Sequence, residues 1–153
     1  PSGMLPRMTT RPTPPADRRT VEADPDQLAQ LAALPADEPV TMLNLMRFRE
    51  TADYSHAPDL APAEAISGSR AYARYGKEAQ AHMQRAGVEV LHHGPCGPTV
   101  IGPDGEDWDA VLLVRYPSPA AFVAMVTSPE YQALSRHRTA ALADARLITT
   151  TIA

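Results

Sequence analysis

Two stretches of the chain are almost wholly apolar, while others place apolar residues every third or fourth position. VTMLNLMRF (40–48) and WDAVLLVRY (108–116) are too short and too continuously apolar for surface helices. They predict strands buried on both faces. Alternation puts Met42, Asn44, Met46 and Phe48 on one face of the first strand and Leu43, Leu45 and Arg47 on the other. In GSRAYARYGKEAQAHMQRAG, Tyr72, Tyr75, Ala79, Met83 and Ala86 fall along one helical face, closed by Gly87 as a C-cap. VEVLHHG (88–94) and RLITTTI (146–152) predict two more strands. Near the start, DPDQLAQLAALP spaces Leu28, Leu31 and Leu34 as a short bracing helix that Pro35 ends.

Between the third and last strands, RYPSPAAFVAMVTSPEY contains Ser118-Pro119 and Ser128-Pro129. Serine at an N-cap followed by proline at the first helical position is a helix-start signal, because proline lacks an N–H there anyway. Two starts so close together predict a broken helix. It runs over 119–126, turns at Thr127, and continues from Pro129 to about Ala143. Tyr131, Leu134, Arg138 and Leu142 then share one face of the second piece.

The order βαββαβ is the split-βαβ, ferredoxin-like α+β unit with an antiparallel sheet. Its helices cover only one sheet face, yet both central strands are apolar on both. A second copy packed sheet against sheet is the economical cover, so a homodimer is expected.

Composition narrows the partners. The chain is 44% hydrophobic and 21% charged, with a formal charge of −4. No basic face of the needed size exists, which argues against nucleic acid or an anionic membrane. No apolar run reaches the roughly 18 residues of a membrane span. Cys96 is the single cysteine, which precludes an intramolecular disulfide and makes a reducing cytoplasm the expected location. Residues 1–23 lack periodicity and read as a disordered tail, with Pro1-Ser2-Gly3 as a cloning scar. Residues 24–153 read as a single domain.

MLNLMRF, SGSRAYARYG, DAVLLVRYPSPAAFVAMVTSPEY and HRTAAL together resemble the family known as domain of unknown function number 1330, from about Asp24 to Thr151. The resemblance implies a dimeric α+β barrel of ferredoxin-like units, in agreement with the strand faces. It leaves the chemistry open. The wider superfamily includes cofactor-independent monooxygenases, lactone isomerases, polyketide cyclases, haem-degrading enzymes and non-catalytic regulators, and fold alone does not choose among them. Some of its oxygenases carry an Asn on the first strand, a Trp on the third and a His on the second helix. Asn44, Trp108 and His137 imitate that set loosely.

Asn44 is the polar exception in its strand. An unsatisfied buried carboxamide costs about 1–3 kcal/mol, so it needs either a structural partner or a ligand. Tyr72 and Tyr75 lie one turn apart, as core residues with wet hydroxyls or as a pair for an aromatic ligand. Tyr131 and Arg138 project between helix and sheet, either as a packing corner or into a pocket. Arg47, Arg115 and Arg138 suit a carboxylate, and the two in strands need solvent or an anionic partner. His82 is the candidate general base, with a partly exposed helix histidine as its plain alternative. His92 and His93 point to opposite strand faces and cannot share an ion, and His93 with Cys96 across the Gly-Pro turn is a possible pair for which no third ligand is evident. No metal or cofactor is expected.

Two functions follow. One is a cofactor-independent enzyme of oxygenase, isomerase or cyclase type acting on an apolar or aromatic metabolite. There Asn44 and an arginine would orient an oxygen while His82 or a tyrosine moves a proton. The other is a non-catalytic dimeric module that binds a small hydrophobic ligand. Convergence of Asn44, Tyr72, His82 and Arg138 on one pocket discriminates between them.

Overall fold

In the computed structural model, which describes residues 20–151, four strands form one antiparallel sheet in the order β2-β3-β1-β4. They are β1 (Val40–Phe48), β2 (Glu89–Pro95), β3 (Ala110–Tyr116) and β4 (Leu142–Thr150). The helices are α1 (Pro25–Ala32), α2 (Gly68–Arg85), α3 (Pro119–Thr127) and α4 (Pro129–Ala141). The ferredoxin-like reading therefore holds. The expected tail over 1–19 and the last residue of the expected strand, Ile152, lie outside the described residues.

Both Ser-Pro pairs start helices. The Ser118 hydroxyl accepts from the Ala121 N–H at 3.1 Å, and the Ser128 hydroxyl accepts from the Tyr131 N–H at 3.2 Å. The corner falls at Ser128 instead of Thr127, because a residue preceding proline is pushed out of the helical region. Ser128 is extended, at φ −67° and ψ 140°.

Two strand boundaries differ from expectation. β3 starts at Ala110, which leaves Trp108 outside it, beneath the Arg146 guanidinium at 5.2 Å. β4 starts at Leu142 directly after α4, so Leu142 belongs to the sheet and not to the face shared by Tyr131 and Arg138. The end of β1 accounts for this: Arg47 and Phe48 take Asp144 and Leu142 as ladder partners across a bulge.

The chain is also anchored before Asp24. β4 is an edge strand, and edges leave backbone groups unpaired. The Ala145 N–H donates to the Thr20 carbonyl at 2.7 Å, and the Thr20 hydroxyl returns a bond to the Ala145 carbonyl at 3.1 Å. The Thr20 N–H reaches the buried Asp144 carboxylate at 2.9 Å. Residues 20–22, which the sequence reading placed in the tail, thus form a strap: Thr20 on the β4 edge, Val21 and Glu22 accepting hydrogen bonds from Arg138 and Thr139 of α4. A short polar segment carries no hydrophobic periodicity, so its pairing left no pattern to read.

Register sorts the sheet into two faces. On the inner face, beneath the helices, run the rows Val90-Val114-Met42-Thr149, His93-Leu112-Asn44-Leu147 and Pro95-Ala110-Met46-Ala145. Met42 and Val114 are buried there with Phe122, Met125, Tyr131 and Leu134 from the helices, and Met46 with Ala71 of α2 and Ala140 of α4. The outer face carries His92-Leu113-Leu43-Ile148 and Gly94-Val111-Leu45-Arg146.

Candidate functional site

Under the helices the inner face opens into a cleft of about 1820 Å³. The sheet supplies Asn44 as its polar floor. The Asn44 amide donates to the Leu112 carbonyl at 3.3 Å, so the side chain is held flat across the neighbouring strand. Helix α2 supplies Tyr72 and Tyr75, whose ring centroids are 5.3 Å apart. Helix α4 supplies Tyr131, edge-on to Tyr75 at 6.2 Å, and the Tyr75 and Tyr131 hydroxyls share a hydrogen bond. One α4 turn beyond Leu134, Arg138 donates to the carbonyl of Val21 in the strap. Asn44, Tyr72, Tyr75, Tyr131 and Arg138 thus border one cleft.

Electrostatics fix the state of the phenols. Burial pushes the hydroxyls of Tyr72, Tyr75, Tyr116 and Tyr131 above the ordinary phenol range, against a smaller downward pull of Arg138 on three of them. They are therefore neutral donors and acceptors near neutral pH. A phenol that stays protonated in the fold but ionises when unfolded favours folding below pH about 10, and that advantage is lost as pH rises further. On alkaline titration, tyrosinate absorbance should lag past pH about 10 and emerge together with loss of near-ultraviolet circular dichroism. Full ionisation near pH about 10 in a folded protein would contradict the burial argument.

The other candidates lie elsewhere. His82 does not line the cleft; its ring stands 6.1 Å from Tyr131 and its Nδ1 is 3.1 Å from Arg85 Nη2. His137 is buried with Nδ1 2.8 Å from the Tyr54 hydroxyl and Nε2 3.7 Å from Glu78, where it pins the loop after β1. Asn44, Trp108 and His137 therefore do not meet. Arg115 pairs with Glu89 at 3.0 Å, and Arg47 is buried beside the Gly105 carbonyl at 3.4 Å. Among the described residues no cluster of three or more His, Cys, Asp or Glu could hold a metal. Nor, among them, is any helix long and apolar enough to cross a membrane.

Sequence reasoning missed three parts of the lining. His93, weighed only as a metal ligand, shares the Asn44 row and borders the cleft. The strap and α1 wall the other side through Val21, Leu28 and Leu31. Gly76 borders it from α2. Only His93 carried a usable signal, since alternation from Val90 reaches its face once the β2 bulge is known.

These features define a ferredoxin-like α+β protein whose helices roof a cleft lined by tyrosines. More particularly, the chain belongs to the family described as domain of unknown function (DUF1330), whose model matches residues 45–151. It is similar to a protein of unknown function from Rhodopseudomonas palustris, with 36% identity, a TM-score of 0.78, and coverage of 88% of this chain and 98% of the other. A structure of the methylated form gives 36% identity, a TM-score of 0.79, and coverage of 89% and 96%. A Bacteroides fragilis protein of unknown function, described as dimeric and ferredoxin-like, is 14% identical with a TM-score of 0.48, covering 77% of this chain and 100% of that one. No match is found among curated proteins.

Proposed function

We propose that the protein binds a small apolar or aromatic molecule in the cleft, as a homodimer joined through the outer sheet faces. The observation that carries the reading is convergence: Asn44 from β1, Tyr72 and Tyr75 from α2, and Tyr131 and Arg138 from α4 border a single apolar-walled space. Ligand sites are commonly built this way, with few polar groups fixing orientation in an apolar cavity. The catalytic alternative asks His82 or a tyrosine to move a proton; His82 stands outside the lining, and burial holds the hydroxyls of Tyr72, Tyr75 and Tyr131 above the ordinary phenol range. Binding is therefore the reading that the arrangement supports best.

N-Phenyl-1-naphthylamine, a neutral dye that brightens in apolar sites, tests it. Titration of the full chain should give saturable fluorescence. Ala73→Trp puts a bulky ring on the exposed, cleft-facing side of α2 and should weaken binding at least tenfold. Asn44→Ala should weaken it by about 1 kcal/mol, as for a neutral hydrogen bond. Unchanged binding by both folded variants, or no saturable binding at all, would remove the cleft assignment.

A further inference from the structure

Two features of the cleft are not explained by folding. The first is Gly76. It lies inside α2, where glycine is less favourable than alanine. Packing does not require it: a Cβ built there meets nothing within 4 Å. Backbone conformation does not require it either, since the glycines with positive φ are Gly87 and Gly105. Yet Gly76 follows Tyr75 directly and borders the cleft, so a helix-weakening residue leaves bare backbone where a ligand would lie.

The second is Arg138. The other arginines bordering the cleft are paired, Arg136 with Asp59 at 3.2 Å and Arg146 with Asp144 at 2.6 Å. Among the described residues no carboxylate lies within salt-bridge distance of Arg138. Its partner is a neutral carbonyl, that of Val21, and it stands among neutral phenols. In a chain of net charge −4, this half-buried cation borders the cleft with no balancing anion among the described residues. A partly desolvated guanidinium is a strong partner for an anionic oxygen group.

We infer that the ligand is a planar aromatic anion, its ring laid on the α2 backbone at Gly76 and its anionic group on Arg138. The Tyr75–Tyr131 hydroxyl pair supplies a further donor beside that group. The inference rests on the cleft reading above and narrows it from apolar molecules in general to singly anionic aromatic ones.

The test compares two dyes with one ring system, anionic 1-anilinonaphthalene-8-sulfonate and neutral N-phenyl-1-naphthylamine, on the full chain. The anion should bind at least tenfold more tightly, and added salt should weaken it while leaving the neutral dye unchanged. Arg138→Gln should erase most of that preference, and Arg138→Lys should restore part of it. Gly76→Ala should raise the melting temperature and weaken the anion at least fivefold. Equal affinity for the two dyes, with the neutral dye still sensitive to Ala73→Trp, overturns the inference and leaves the cleft reading standing. Unchanged anion binding by Gly76→Ala overturns the placement of the ring. Binding of neither dye overturns the cleft reading and the inference with it.

Discussion

Gly68→Ala is expected to destabilise the fold by about 3 kcal/mol, the upper end of the usual overpacking range. At this chain length that lowers the melting temperature by roughly 10 °C. Gly68 opens α2 at the point where the end of β1 and the end of α4 converge. Its N–H donates to the Arg49 carbonyl at 3.0 Å, and the Arg49 N–H donates to the Ala141 carbonyl at 2.8 Å. An added Cβ would stand 2.3 Å from the Arg49 carbonyl oxygen and 2.5 Å from that of Ala141. Both obstacles are backbone, so no rotamer change relieves them; the three elements must separate and lose these hydrogen bonds. Gly76→Ala is the matched control in the same helix, with open space at its Cβ and an expected gain of about 0.5–1 kcal/mol. Thermal melts of the two variants should move in opposite directions. If Gly68→Ala melts with the parent, the close approach is not a constraint on the fold.

The contrast between these glycines shows where sequence reasoning stops. Both stand in one helix, Gly68 at its first position and Gly76 inside it, and no local signal marks either as a point of close approach. What separates them is whether another part of the chain comes close, which a one-dimensional pattern does not record. Periodic features were legible: the two-faced strands, the tyrosine stripe of α2, and the helix starts at Ser118 and Ser128 all follow from local geometry. Boundaries set by partners were not. β4 begins at Leu142 because β1 still has residues to pair, and Trp108 falls outside β3 although apolar character alone would extend the strand to it. The polar groups of the cleft were legible where helical spacing placed them on an inward face, as for Tyr72, Tyr75, Tyr131 and Arg138. His82 was the exception: it sits at the flank of the α2 stripe, where a small rotation decides between cleft and surface. The strap was invisible because Thr20 is fixed by hydrogen bonds to an edge strand more than a hundred residues away.

Leu43→Asp is expected to convert the protein from a dimer into a monomer. Leu43 lies at the centre of the outer sheet face, flanked by Leu113 on β3 and Ile148 on β4, with Leu45 and Val111 in the next row. This apolar centre is bordered by the Arg115–Glu89 pair and by Arg146, the pattern of an interface core with a polar rim. Helices shield the opposite face only, and Ile148 remains 50% exposed in the single chain. A contiguous apolar patch of this kind is costly to leave in water. In a two-fold interface the same residue occurs once on each copy, so the substitution buries two carboxylates without partners. Each adds at least about 3 kcal/mol against association, a combined change of more than ten-thousandfold in the dissociation constant. Light scattering at micromolar concentration should give the parent about twice the chain mass of 16.5 kDa and the variant that mass once. Ile101→Asp separates this from a general effect of added charge, because Ile101 is 95% exposed on the loop between β2 and β3 and should leave the dimer intact. A parent that runs as a monomer, or a Leu43→Asp variant that stays dimeric, would rule out pairing through this face. The cleft assignment stands apart from either result, since Asn44 lies on the opposite sheet face from Leu43 and Tyr72, Tyr75, Tyr131 and Arg138 come from the helices over that opposite face.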